Sequence, residues 1–211
     1  MTNLTVKVCG LTRPDDVTLC HELGADLTGF IFVASSPRKI RPEDAAAMPR
    51  GKAGRVGVFS GHSVHEVRRI AEVADLDFIQ LHGGESPEFC QAVGPERVIK
   101  VLWPQALSRG GLNAELLRFA PVAAWFLLDA GQTGGGSGQS PAWDQVQGLA
   151  SPRPWLLAGG LGPDTMHDAL GRCAPDGLDM NSALETAPGI KDHILLRAAL
   201  ACLHGNNKDM S

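Results

Sequence analysis

The strongest constraint on this chain is a recurrence of short apolar runs, each too brief to be a helix. They are Thr5–Cys9, Leu27–Phe32, Arg55–Phe59, Phe78–Leu81, Val98–Leu102, Ala124–Leu128, Trp155–Ala158 and Gly177–Met180. Each spans four to six residues, is rich in Val, Ile, Leu and Phe, and has the length of a strand buried on both faces. The eight runs begin about every 20 to 30 residues. Helical signals fill the intervals. Thr12 is a candidate N-cap before Pro14 and Asp15, with Gly24 as a stop, and Ser63-Val-His-Glu66 is a full capping box. Val67, Ile70, Ala71 and Ala74 form the inward face of that second helix. Ser86-Pro-Glu88 and Gly162-Pro-Asp164 repeat the early-turn proline. A last helix over 192–202 is expected to turn Ile194, Leu195, Ala198 and Leu200 inward.

Eight such βα units predict an α/β fold, a (β/α)8 barrel of the TIM type, as one domain over residues 1–203. Residues 204–211 read as a polar, disordered tail. An open doubly wound sheet is the alternative, but Cys9-Gly-Leu-Thr12 after the first run lacks the expected glycine fingerprint. Gly 25 and Pro 14 in 211 residues exceed the roughly 12% average for the two together, as many short loops require.

A formal charge of −4 with neither sign clustered argues against nucleic acid or a membrane surface as partner. With no signal-like start, a cytoplasmic protein is expected. The five cysteines are scattered without a C-x-x-C pair, so no disulfide framework or thiolate zinc site is suggested. Cys20, Cys90, Cys173 and Cys202 read as small buried hydrophobes. His62 and His65 read as solvated at a helix start, so no metal site and no cofactor is expected.

In a barrel, chemistry gathers at the C-terminal ends of the strands. That rule selects Cys9, Arg38, Gln80, His82, Trp103, Asp129, Gly159, Gly160, Asn181 and Ser182. Cys9 is either a thiol aimed into the mouth or a small core residue. Asp129 ends the most apolar run and is either a general acid or a loop cap. The segment 130–138 carries five glycines in nine residues and is either a lid or a plain loop. Gly159-Gly160 and the turn at Ser182 follow the seventh and eighth runs, where barrels commonly hold phosphate on backbone N–H groups.

In this order the motifs resemble those of the phosphoribosylanthranilate isomerase family. The likeness rests on Lys7-Val-Cys-Gly-Leu-Thr12, Gly24-Ala-Asp26, Gly29-Phe-Ile-Phe32, Ser36-Pro-Arg38, Val56-Gly-Val-Phe59, Gln80-Leu-His-Gly83, Leu128-Asp129, Gly135-Gly-Ser-Gly138, Gly159-Gly-Leu161 and Asp179-Met-Asn-Ser182. It implies an Amadori rearrangement of N-(5-phosphoribosyl)anthranilate in tryptophan biosynthesis, on a monomer or homodimer. Cys9 then matches the general base, Asp129 the general acid, and Arg38 the partner of the anthranilate carboxylate. Gln80, His82 and Asp179 fall to the substrate, and Gly159, Gly160, Ser182 and Ala183 to its phosphate. Working at neutral pH would then need both catalytic pKa values moved toward neutrality.

Three positions depart from the family pattern. Lys39 stands where an aromatic is common, and Pro141-Ala142 replaces a usual Phe-Asp. Ala183 replaces a common Gly, so its turn must avoid positive φ. Rival phosphosugar barrels call for a catalytic lysine or metal ligands at the mouth; Lys7 and Lys100 lie inside strands and offer no obvious Schiff-base nucleophile. A non-catalytic phosphate-binding barrel would keep the glycine turns without needing Cys9 and Asp129 together.

Overall fold

The computed structural model describes residues 4–130 and 142–205. The glycine-rich segment after Ala130, the Gly135–Gly138 motif and the final residues 206–211 lie outside them. The expected strands form almost residue for residue: β1 (Thr5–Val8), β2 (Leu27–Ile31), β3 (Gly54–Phe59), β4 (Phe78–Leu81), β5 (Val98–Leu102), β6 (Trp125–Asp129), β7 (Trp155–Ala158) and β8 (Gly177–Met180). They pair in parallel and in order, and β8 closes on β1.

Side chains alternate between two cores, as strand geometry requires. One set faces the barrel axis, with Leu27, Val56, Ile99, Val101, Leu127 and Leu156 buried at its centre. The other faces the helices, where Phe30, Phe59, Leu81 and Phe126 meet helical side chains. These helices are α1 (Pro14–Glu22), α2 (Pro42–Ala46), α3 (Val64–Val73), α4 (Pro87–Val93), α5 (Arg109–Phe119), α6 (Met166–Cys173) and α7 (His193–Gly205). Between β6 and β7 the described residues hold only a 3-10 turn, Ala142–Gln145, so that interval departs from the regular βα pattern. None of the described helices is long and apolar enough to cross a membrane.

Several local expectations are corrected. Arg13, not Thr12, is the N-cap of α1, and the Thr12 hydroxyl instead donates to the Gly189 carbonyl at 2.5 Å. Pro163 precedes α6 rather than opening it, because Thr165 folds back onto the turn by donating to the Gly160 carbonyl. In α7 the inward stripe is Leu196, Ala199, Leu200 and Leu203, while Ile194 is 80% exposed. Cys202 is exposed, whereas Cys20, Cys90 and Cys173 are buried as expected. His62 is half-buried with its ring edge-on to Phe59. The Ser63–Glu66 capping box forms fully, and Ser86 caps α4.

A repeated turn fastens the N-terminal rim of the barrel. Gly24, Asp75 and Ala174 follow α1, α3 and α6 with φ of 78°, 49° and 48°. Two residues after each comes an aspartate: Asp26, Asp77 or Asp176. Each aspartate grips one residue of the preceding strand from both sides. Asp26 N–H donates to the Val6 carbonyl at 2.9 Å while its carboxylate accepts the Val6 N–H at 2.8 Å. Asp77 does the same to Arg55, and Asp176 to Trp155. The left-handed residue reverses the chain; the aspartate then fixes strand register.

Ala174 holds its left-handed backbone at a cost of about 1–2 kcal/mol, against about 0.5–1 kcal/mol of added chain entropy for glycine. Ala174→Gly is therefore expected to stabilise the fold by about 0.5 kcal/mol in urea unfolding. Asp176→Ala should destabilise it by about 1 kcal/mol, by removing a charged acceptor from Trp155 N–H.

Candidate active site

The C-terminal mouth gathers side chains from most strands. Cys9 sits just past β1 with only 4% exposure, held by its N–H to the Met180 carbonyl at 2.8 Å. Room for its sulfur comes from Gly29 on β2, where a Cβ would lie 2.8 Å from Cys9 Sγ. Below it on the same face is Lys7, fully buried, whose Nζ donates to Asp179 Oδ1 at 2.8 Å. Cys9 lies two residues along β1 from Lys7, on the same face and within the field of its ammonium.

These neighbours set the electrostatics. Burial pushes the Cys9 thiol up from its ordinary value, and the Lys7 ammonium pulls against that rise. The shift therefore runs opposite to the one expected of a neutral-pH base. Burial also works against the Lys7 charge, but Asp179 and Cys9 more than offset it, so Lys7 stays cationic. The Asp179 carboxyl is raised by burial, with the Asp129 charge adding to the effect.

Across the mouth, three strands from β1 by way of β8 and β7, Asp129 ends β6 at 27% exposure. His82 Nε2 lies 3.9 Å from its carboxylate. Burial lowers the His82 pKa, so its imidazole is neutral at pH 7. Gln80 donates to His82 Nδ1 at 3.4 Å, which leaves the ring proton on the nitrogen facing Asp129. Trp103 packs edge-on to the same ring. The buried Gln80 amide oxygen has no partner among the described residues, which suits a hydroxyl donor from a ligand.

Loop eight contains an antiparallel pair that the strand pattern did not foretell, β9 (Glu185–Ala187) with β10 (Ile190–Lys191). Glu185 accepts from Arg38 Nε at 3.0 Å and from Nη2 at 2.7 Å, and also from Lys191 Nζ at 3.0 Å. Lys191 in turn donates to Asn181 Oδ1 at 3.0 Å. Burial alone would push Glu185 up, but Arg38 and Lys191 hold its carboxyl below the usual range. A Cβ on Gly10 would strike Asn181 Oδ1 at 2.5 Å and Arg38 Cδ at 2.9 Å, so glycine is required where these side chains meet.

Loops seven and eight touch. Gly159 and Gly160 adopt φ of 107° and 67°, turning the chain after β7 as only glycine does readily. A Cβ on Gly162 would meet Ala183 Cβ at 3.1 Å. Ser182–Leu184 form a 3-10 turn, and Ala183 lies outside the left-handed region, which removes the conformational objection to alanine there.

Residues 6–201 match the model of the N-(5'-phosphoribosyl)anthranilate (PRA) isomerase family. The chain belongs to that family. It is 45% identical over 202 residues to the N-(5'-phosphoribosyl)anthranilate isomerase of Maridesulfovibrio salexigens, covering 95% of this chain and 98% of the relative. The Desulfovibrio desulfuricans isomerase is 48% identical over 94% of both chains. Among solved structures, the Thermotoga maritima isomerase superposes with a TM-score of 0.82 at 31% identity, covering 96% of this chain and 99% of its own. A phosphoribosyl anthranilate isomerase in complex with reduced 1-(o-carboxyphenylamino)-1-deoxyribulose 5-phosphate superposes at 0.78, with 31% identity and coverage of 96% and 99%.

The fold thus gathers Cys9, Asp129, Gln80, His82 and Asp179 at one mouth, with Arg38 on one side. Reading by residue type passed over Lys7, Glu185 and Lys191. Strand alternation carried a signal for Lys7, two residues before Cys9 and hence on its face. Glu185 and Lys191 had none, since their pairing depends on the hairpin. Lys100 belongs elsewhere: it faces the helices, where it pairs with Glu85 at 3.1 Å.

Glu185→Gln should cost about 3 kcal/mol at pH 7, because it strips a buried charge from two cations. A carboxylate with a depressed folded pKa contributes stability above its unfolded pKa, and that contribution is lost as pH falls through the folded value. The gap between wild type and Glu185→Gln in urea unfolding should therefore close in acid.

Proposed function

We propose that this chain isomerises N-(5'-phosphoribosyl)anthranilate to 1-(2-carboxyphenylamino)-1-deoxyribulose 5-phosphate, a step of tryptophan biosynthesis, with Asp129 as general acid and Cys9 as general base. The observation that carries the reading is family membership over residues 6–201 together with a thiol and a carboxyl facing each other across one barrel mouth. In this scheme Asp129 protonates the furanose ring oxygen and the C1′–O bond opens to an imine. Cys9, as thiolate, takes the C2′ proton, and the enolamine tautomerises to the ketone. An acid and a base on opposite sides of one sugar suit two proton transfers without repositioning.

Other residues bind and orient. The unpartnered Gln80 oxygen and the His82 imidazole support contacts to ribose hydroxyls. Asp179 gives one oxygen to Lys7, and its second is available for the sugar. Arg38 keeps Nη1 for the anthranilate carboxylate while Glu185 anchors Nε and Nη2. The left-handed Gly159-Gly160 turn and the Ser182–Ala183 turn support phosphate binding between loops seven and eight. All these groups lie on one barrel, consistent with a single catalytic domain over 1–203 that works as monomer or homodimer. A small phosphosugar substrate fits a cytoplasmic enzyme.

Loss of phosphoribosylanthranilate fluorescence tests the reading, with no metal or organic cofactor added. Turnover is expected to survive EDTA, and no turnover at all would leave the phosphate-binding barrel as the better account. Cys9→Ser and Asp129→Asn should each lower kcat by about 10²–10⁴-fold. Retention of more than about a tenth of wild-type kcat by either would remove its residue from the mechanism. Because burial raises the thiol in the free protein, the acid limb of kcat/KM should lie on the alkaline side of an ordinary cysteine.

A further inference from the structure

We propose that Lys7 is the positioning residue that makes Cys9 a base, its buried ammonium holding the thiolate from inside the barrel. The proposal rests on the reading of Cys9 given above. Lys7 and Cys9 are two residues apart on β1, so both point at the barrel axis. The ammonium donates to Asp179 at 2.8 Å, and the sulfur, two residues along the same face, lies within reach of its charge. The fold does not need this charge. The register neighbour of Lys7 on β2 is Leu27, and apolar residues fill the axis beyond it. Apolar side chains in place of both Lys7 and Asp179 would fill the same space without the desolvation cost of a buried ion pair, whereas replacing Lys7 alone strands the Asp179 carboxyl.

The charged groups facing Cys9 come from four places. Lys7 lies on its own strand, Asp179 on β8, Lys191 on β10, and Arg38 in the loop after β2. Lys191 and Arg38 already share the Glu185 carboxylate. Lys7 is left as the cation whose charge the sulfur feels most strongly. Of the groups on the far side of Asp179, His82 is neutral and Asp129 acts on the Asp179 carboxyl. During turnover Cys9 releases its proton to solvent, Lys7 keeps its own, and the C2′ proton then passes to sulfur.

The test is an ultraviolet titration of thiolate absorbance on the full chain, taken as the difference from Cys9→Ser so that only one thiol is read. Lys7→Met should raise the Cys9 midpoint by about one pH unit or more. Lys7→Arg should restore most of the shift, and Asp179→Asn should move the midpoint the other way, because a negative charge near the sulfur is gone. A Lys7→Met midpoint equal to wild type, or an equal rise in Lys7→Met and Lys7→Arg, would overturn the proposal. Should Lys7→Met not fold, Lys7→Arg and Asp179→Asn still decide it: an Asp179→Asn midpoint at or above wild type overturns it. The acid limb of kcat/KM should move with the thiol midpoint. A moved midpoint with an unmoved limb would instead overturn Cys9 as the base, a failure distinct from an absence of lysine control over the thiol.

Discussion

A single ion pair lies where the barrel closes and where its chemistry begins. Lys7 on β1 and Asp179 on β8 are register partners across the closing seam, and their side chains meet at 2.8 Å inside the barrel. A buried pair of this kind adds little net stability over an apolar filling, because desolvation consumes most of the attraction. Removing one partner, however, strands the other charge and is far more costly. The pair therefore links β8 to β1 without strengthening the seam much, and Cys9, two residues along β1 from the lysine, stands above it on the same face.

The other inward residues show what this pair displaces. From β2 to β7 the axis is filled by Leu27, Val56, Ile99, Leu127 and Leu156, with charge appearing only toward the mouth at Asp129. Packing thus supplies the stability, and the seam and rim spend part of it. At the opposite rim the task is purely structural. There the αL residue and aspartate after α1, α3 and α6 grip the preceding strand by both backbone groups. One rim is held by repeated backbone chemistry, which leaves the other free to vary its loops without loss of register.

Strands were legible because each is a continuous apolar run bounded by turn residues, and β4, β5, β7 and β8 match the sequence reading end to end. Helix faces were less so. The α7 stripe was misphased because Ile194 is apolar yet exposed, and hydrophobicity alone cannot say which of several adjacent apolar residues turns inward. Thr12 has the right chemistry for a cap, but a tertiary acceptor, the Gly189 carbonyl, outcompetes the helix for its hydroxyl. Cys9, Asp129 and the glycine turns were found by position at strand ends. Glu185 and Lys191 were not, since their partners lie 147 and 10 residues away in sequence and meet only after loop eight folds.

That loop joins what the proposed chemistry keeps apart. Its first turn, Ser182–Leu184, faces the phosphate end of the proposed substrate, and its hairpin carries Glu185, which orients Arg38 at the anthranilate end. The hairpin is itself pinned at two points: Thr12, just before α1, donates to Gly189, and buried Asp16 of α1 accepts the Lys191 N–H at 3.2 Å while also binding His193 of α7 at 2.8 Å. The Glu185–Lys191–Asn181 network ties the hairpin to the start of the loop, and the Lys191 charge acts on the Cys9 thiol. Binding energy from the two remote ends of the molecule can in this way be spent on the position of one thiol between them.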